Sequence, residues 1–501
     1  MPLVVAEIIK SRKRCNAEQS CFSNEVSIKG NSEPLKCING FSGKYPCLNA
    51  DLMSLISLSE LSGKPQSEVS LGSDIWGWDD PETHSQYAIS CLEDGTSFVD
   101  VSNPLNPTVV AFLPSNVPDR IIWRDIKVYK NIAFIIADDT SSSNSHGMQI
   151  FDLTSLRSIP NANRPKVVNA SLVYTEFGGC HNLHITEETG YLYCVGSTTC
   201  LGGLHIVNVQ NPLKPLFVGC FSDDGYTHDL QCVIYHGFDK EYFGSEICFA
   251  FNENTLTIID VSQKSDIKLL SRTSYDRSEY THQGWLTENH MFLLMGDELD
   301  EILGTNDGRA KTFIWSLERL KEPKLIGNFQ FSTTSIDHNL YIVDDLSFHA
   351  NFEAGLRILD ICDIGTTKLS EIAYFDVHPE SDSIDFRGAW SSYPFFMKST
   401  GIVLVQSIES GLFIIRPNIT TDPKRKCSRL STTAPAKREI PEANTPKKTE
   451  DKTGKILLGL IVGLTIVGGI VGMTFWIRNR KLSRMIASQR QHAKLLEDEF
   501  R

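Results

Sequence analysis

The sequence predicts an all-β fold: a seven-bladed β-propeller whose last blade is closed by an N-terminal strand, followed by one C-terminal transmembrane helix. Three observations carry this. A strand pattern recurs seven times, a polar opening phrase recurs with it, and one long uncharged run lies near the C-terminus.

The strand pattern places a small or polar residue ahead of an apolar run that ends on Asp. It reads GTSFVDV (95–101), GMQIFDL (147–153), GLHIVNV (203–209), NTLTIIDV (254–261), KTFIWSL (311–317), GLRILDI (355–361) and GLFIIRP (411–417). The aligned residues near its end are Asp100, Asp152, Asn208, Asp260, Ser316, Asp360 and Arg416, spaced by 52, 56, 52, 56, 44 and 56 residues. A short polar side chain there can accept from backbone amides in the following turn. An apolar strand precedes the pattern, as in AFIIAD (133–138), and a fourth strand follows, as in PTVVAFL (107–113) and PLFVGCF (215–221). Four strands in roughly fifty residues is the period of a propeller blade. Two β-sandwich domains are the competing architecture, but seven like units do not divide between two sandwiches.

Each unit opens on a polar phrase: SDIWGW at 73, RDIKVY at 124, HNLHI at 181, HDLQC at 228, HQGWL at 282, HNLYI at 338 and RGAWSS at 387. The first strand of a blade is innermost, so Ser73, Arg124, His181, His228, His282, His338 and Arg387 are expected to ring the axis. Two readings of this ring stand side by side. Structurally, the polar heads bond the next blade's backbone and set blade spacing. Chemically, four consecutive imidazoles can hold a transition metal, since His nitrogen binds Zn, Fe or Cu. The loops GDELDE (296–301) and SDDG (222–225) add Asp297, Glu298, Asp300, Glu301, Asp223 and Asp224 beside His282 and His228. Hard carboxylate oxygens suit Ca2+; the alternative is a solvated acidic loop, because neither stretch has EF-hand spacing. No G-x-S-x-G elbow is present, and no catalytic residue is assigned.

Unit seven lacks a fourth strand after Arg416, while SEVSLG (67–72) precedes unit one without a blade of its own. The expectation is that residues 67–72 complete blade seven, which pairs the two ends of the ring and removes open edges. The organisation is then a Cys-containing extension (1–66), the propeller (67–418), a stalk (419–455), a span (456–477) and a tail (478–501).

The hydrophobic content of 41% and charged content of 22% are those of a folded chain. The net charge of −13 is uneven: +5 over 419–455, +4 over 478–501, and −22 over the first 418 residues. So acidic a body repels phosphates, which argues against nucleic acid and suits divalent cations or basic partners. None of the 13 cysteines has a zinc-like spacing. Cys37 and Cys47 bracket a Gly- and Pro-containing loop, and Cys232 and Cys248 bracket another, the usage of an oxidising compartment. Asn169 and Asn418 head N-glycosylation sequons.

Residues Ile456 to Ile477 carry no charge over 22 positions, enough helix to span a bilayer. RNRK (478–481) follows, so the tail is expected in the cytosol and the body outside, a type I arrangement at the plasma membrane. Residues 419–455, rich in Thr, Pro, Ser and Lys, read as a flexible stalk. The opening MPLVVAEIIKSRKRC offers no export signal, because Glu7 interrupts its short apolar run; a start upstream of Met1 is expected.

SDIWGWDD, GTSFVDVSNPLNP, WRDIKVYKN, HGMQIFDL, GYTHDLQCVIYHG, YTHQGWLTE, DELDE, DHNLYI, NFEAGLRILDI and GAWSSYPFF, in this order, resemble the choice-of-anchor B family, whose blades contain LVIVD repeats. CINGFSGKYPCLNADLMS (37–54) resembles the segment those proteins carry ahead of the propeller. The resemblance runs from about Cys37 to Arg416. It implies a surface propeller with no established catalysis, binding an extracellular protein or glycan; a metal-dependent enzyme on the axial histidines is the rival. The chain departs from the family in its missing signal peptide.

Overall fold

The computed structural model describes residues 25–139, 145–303, 307–419 and 427. Among them, seven sheets form the blades of a propeller, antiparallel except where Lys166–Val167 pairs parallel at the outer edge of blade one. Blade one comprises Gly72–Asp79, Gln86–Leu92, Gly95–Asp100 and Thr108–Pro114; blade two, Arg124–Tyr129, Ile132–Ala137, Met148–Asp152 and Leu172–Tyr174. Blades three to six follow the same succession, with inner strands Asn182–Thr186, Asp229–Ile234, Thr281–Leu286 and Leu340–Val343. The second and third strands of each blade are almost wholly buried, which is why they read as continuous apolar runs.

The recurring Asp does what its position suggests. The Oδ1 atoms of Asp100, Asp152, Asn208, Asp260 and Asp360 each accept from the amide two residues on, at 2.9–3.1 Å. One turn geometry thus ends the third strand in five blades. A register shift recurs too, between Phe98 and Val99, Ile206 and Val207, Ile258 and Ile259, Ile314 and Trp315, and Ile358 and Leu359. Bulges at one repeated position add twist to each blade.

The ring is closed by an N-terminal strand, but not by residues 67–72. Blade seven holds Ala389–Tyr393, Val403–Ser407 and Gly411–Pro417, and its fourth strand is Ala50–Ser57. Leu52 pairs with Ile415, Leu55 with Phe413 and Ile56 with Leu412. Residues 66–68 form a short 3-10 turn, and the chain then runs into the inner strand of blade one. The physical reason lies in coverage. An outermost strand usually wets one face and so alternates, as SEVSLG does. Ala50–Ser57 is buried on both faces, because blade six packs on one and blade one on the other, while bridges Ile28–Leu55 and Leu35–Leu52 cover its outer edge. A strand covered on both sides is an unbroken apolar run.

The upstream chain also adds Phe41–Ser42 and Tyr45–Leu48 to the outer edge of blade six. One stretch of about thirty residues therefore clamps two adjacent blades across the closure. Its loop is stapled by Cys37–Cys47, as the sequence suggests. The described residues hold four more disulfides: Cys180–Cys194, Cys200–Cys220, Cys232–Cys248 and Cys362–Cys427. Cys232 and Cys248 face each other on neighbouring strands of blade four. Cys362–Cys427 ties the chain leaving blade seven back to blade six. Cys91 is buried and unbridged, its thiol pushed up to about 12 by burial. No helix among the described residues is long and apolar enough to cross a membrane; residues 456–477 lie outside them.

Two outcomes follow. Leu52→Ala, at a fully buried position of the closing strand, should lower unfolding free energy by about 2–5 kcal/mol. Glu68→Ala, exposed in the stretch first expected to close the ring, should change it by less than about 0.5 kcal/mol. Denaturant unfolding of both variants checks this, and equal effects would contradict the closure. Peptide mapping of the unreduced protein should recover the five pairs above, with Cys91 resisting alkylation until the chain unfolds. A different partner for Cys37 or Cys232 would count against the structure.

Candidate functional site

The inner strands carry polar side chains at two levels along the axis, three residues apart. The upper level holds Ser73, Arg124, His181, His228, His282 and His338. The lower level holds Trp76, Lys127, His184, Gln231, Trp285 and Tyr341. Side chains from both levels, with Asp74, Asp125 and Asp229, line a narrow axial cavity.

Many of these groups bond the neighbouring blade's main chain. Ser73 Oγ donates to the Ile122 carbonyl, joining blade one to blade two. Asp125 Oδ2 accepts from the Leu183 amide (2.7 Å), and Asn182 Nδ2 donates to the His228 carbonyl (3.0 Å). Gln231 Oε1 accepts from the Leu286 amide (2.8 Å). Gln283 takes both main-chain groups of Leu340, each at 3.0 Å. Asn339 Nδ2 donates to the Trp390 carbonyl (3.3 Å). Between blades seven and one, Ser90 Oγ donates to Gln406 Oε1 (2.6 Å). The opening phrases of blades one to six therefore each bond the next blade's main chain, and among the described residues that of blade seven does not.

The histidines share this work with one nitrogen only. His228 Nδ1 donates to the His282 carbonyl (3.0 Å), and His338 Nδ1 to the Trp390 carbonyl. His181 Nδ1 lies 3.0 Å from Asp138 Oδ2. In a neutral imidazole whose Nδ1 donates, Nε2 keeps its lone pair. The four rings follow one another around the axis, tilted by 54°, 43° and 39°, with centroids 4.3, 4.3 and 4.5 Å apart. Glu298 reaches in beside two of them: its Oε2 lies 3.7 Å from His282 Nε2 and its Oε1 3.6 Å from His338 Nε2.

Burial dominates the electrostatics. It holds His228 and His282 well below the usual imidazole range, with neighbouring imidazoles adding to the effect, and pushes His338 down to about 3. Burial pushes the carboxyls of Glu298 and Asp229 up to about 8. Lys127 sits 2.5 Å from Asp125 Oδ1 and 4.6 Å from the Trp76 ring centre. Trp76, Trp285, Tyr341 and Phe395 close the lower level, with ring centres 4.9–6.3 Å apart.

Not every expected residue arrives. Arg387 is not in the ring: it precedes the inner strand of blade seven and pairs with Glu353 at 2.6 Å. Trp390, three residues on, takes the place beside His338, with ring centres 5.1 Å apart. Gly388 sets this offset; its φ is +85°, and a Cβ there would meet the Phe352 carbonyl oxygen at 2.4 Å. Asp223 and Asp224 do not join the GDELDE carboxylates. Asp223 is exposed, and Asp224 accepts from Asn252 (2.6 Å) and Thr257 (2.5 Å) beside Arg272. Asp297 is occupied by the Tyr275 hydroxyl and the amides of Glu279 and Tyr280. Asp300 and Glu301 are buried, not solvated, and gather with Asp337, a residue the sequence did not single out. Asp337 sits one place before His338, so the opening phrase could have pointed to it.

Residues 247–274, the second to fourth strands of blade four, match the LVIVD repeat. No curated protein matches the chain. Among solved structures, the chain is similar to the β-propeller domain of Myceliophteria thermophila Cps50 (Swd1), at 11% identity, 70% of this chain, 98% of that one and TM-score 0.45. It is also similar to Kuenenia stuttgartiensis hydrazine synthase, at 9% identity, 67% and 93% coverage and TM-score 0.46. A functionally unknown protein from Desulfotomaculum acetoxidans matches at 9% identity, 66% and 95% coverage and TM-score 0.42.

Buried neutral histidines make stability depend on pH. Burial holds His349 at about 3 and His205 at about 4, below the roughly 6.5 of an unfolded chain. The unfolded state then binds the extra protons, so their contribution is present above pH ~6.5 and lost as pH falls toward 3–4. Glu409, raised to about 8 by burial, has the opposite sign: its contribution is lost as pH rises through about 8. Unfolding measured from pH 4 to 8 should show His349→Gln with a shallower acid limb than the parent, by about 1–3 kcal/mol over the window. An unchanged acid limb would remove His349 from the account.

Proposed function

We propose that this chain is a membrane-anchored, extracellular binding module, and that its axial cavity receives the ligand. One observation carries this: aromatic rings, carboxylates and imidazoles from successive blades converge on a single cavity, lined by Asp74, Lys127, His181, Asp229, Trp285 and Tyr341 among others. The disulfides support an oxidising compartment. Both sequon asparagines, Asn169 and Asn418, are exposed and open to glycosylation. The uncharged run 456–477 and the basic residues behind it support a single span, with 419–455 as the stalk and 478–501 in the cytosol. The resemblance to the choice-of-anchor B family agrees with display on a surface. The cavity holds about 30 Å³, so it suits one small polar or basic group presented by an extracellular protein or glycan, set against the faces of Trp285 and Tyr341. A metal-dependent enzyme on the axial histidines is the second reading, favoured by the Nε2 edge of His338 beside Glu298.

Full-length protein displayed on cells and probed with glycan and basic-peptide arrays tests the proposal. A tag on the 478–501 tail should be reached only after permeabilisation. Asp229→Asn combined with Trp285→Ala should lower array binding at least about tenfold with the propeller still folded. Binding equal to the parent would move the ligand away from the axis.

A further inference from the structure

His282, Glu298 and His338 bring three donor atoms within 4.8 Å of one another, all on buried residues. The separations decide what belongs between them. At 3.6 and 3.7 Å, the carboxylate oxygens are too far from the two Nε2 atoms for hydrogen bonds. They are close to the edge of a coordination polyhedron, about 3.4 Å for tetrahedral bonds of ~2.1 Å. The carboxylate is 3% exposed, and neither Lys nor Arg pairs with it among the described residues. Among the described residues the three donors converge without a hydrogen bond between them, and one cation would satisfy all three.

The surroundings orient the donors. The bond from His338 Nδ1 to the Trp390 carbonyl fixes that ring and leaves Nε2 as the ligand atom, the outer arrangement metal-binding imidazoles use. His282 Nδ1 is buried without a hydrogen-bond partner among the described residues, and its Nε2 faces Glu298. The three donors come from different places in the fold: the inner strands of blades five and six and the GDELDE loop after the second strand of blade five. The packing of blade six against blade five brings them together.

We infer that His282, Glu298 and His338 hold one divalent first-row transition-metal ion. Two imidazoles and one carboxylate are the donor set of Zn2+ and Fe2+ sites, and unlike the all-oxygen set that Ca2+ and Mg2+ take. Three protein ligands leave at least one coordination position for solvent or a ligand, and His282 and His338 both line the axial cavity. The inference deepens the binding role proposed for that cavity, yet its readout is the metal itself.

Elemental analysis of the purified full chain, dialysed against excess Zn2+ and then metal-free buffer, should give about one ion per chain. Co2+ added to chelator-stripped protein should give visible d–d bands that Zn2+ abolishes. Glu298→Gln keeps the size of the side chain, and His338→Asn keeps a donor near the place of Nδ1. Each should weaken Co2+ affinity at least about tenfold, the lower end of what even an outer partner of a ligand costs. His236→Ala, outside the cavity, should leave it unchanged. Absence of Co2+ bands in the parent chain overturns the inference without any variant, as does Glu298→Gln binding Co2+ as tightly as the parent. Array binding that survives metal stripping would leave the binding role standing; array binding lost in a chain that still holds its ion would defeat that role alone.

Discussion

The structure depends on one interaction made repeatedly: a polar side chain at the start of an inner strand bonds the main chain of the next blade. Blades of a propeller are separate sheets, and among the described residues only short main-chain pairings, such as Lys166–Val167 on blade one and the bridges Glu253–Thr281 and Phe352–Ala389, join one to the next. Apolar packing holds them face to face, but packing has no direction and tolerates slip. The bonds from Asp125, Asn182, Gln231, Gln283 and Asn339 supply direction. Each leaves a buried main-chain group satisfied, and losing one would leave that group without a partner in the dry centre.

The same constraint explains how a stapled centre also becomes a site. An imidazole has two nitrogens on opposite edges. Where Nδ1 is committed to the neighbouring blade, Nε2 is turned toward the axis and keeps its lone pair. Structural and chemical readings of the His phrases therefore do not compete; they divide the ring between them. Burial keeps His228, His282 and His338 neutral, and neutrality is what a ligand nitrogen requires. Glu298 enters from the loop of its own blade, so its position depends on blade five alone. The pairing with His338 depends on blade six being held at the right distance.

Closure is the second condition. Ala50–Ser57 completes blade seven while Tyr45–Leu48 extends blade six, so one segment ahead of blade one holds two blades against each other. The disulfides Cys37–Cys47 and Cys362–Cys427 reinforce that sector at both ends of the propeller chain. Opening the ring there would separate the inner strands and, with them, the converging side chains.

The local pattern of the sequence determined the blade count, the strand-ending Asp turns, the polar inner ring and two of the disulfides. Each of these is a short-range property repeated along the chain, and repetition makes it readable. The tertiary structure decided what depends on contacts between distant segments. Ala50–Ser57 replaced residues 67–72 as the closing strand because blades six and one pack on its two faces and the upstream chain pairs along its outer edge. Trp390 lies beside His338 because Arg387 turns to Glu353 ahead of the strand. Asp337 joined Asp300 and Glu301, and Glu298 met His282 and His338, because blades five and six pack at a fixed spacing. Periodicity reports which face of a strand is buried; it carries no record of which remote segment buries it.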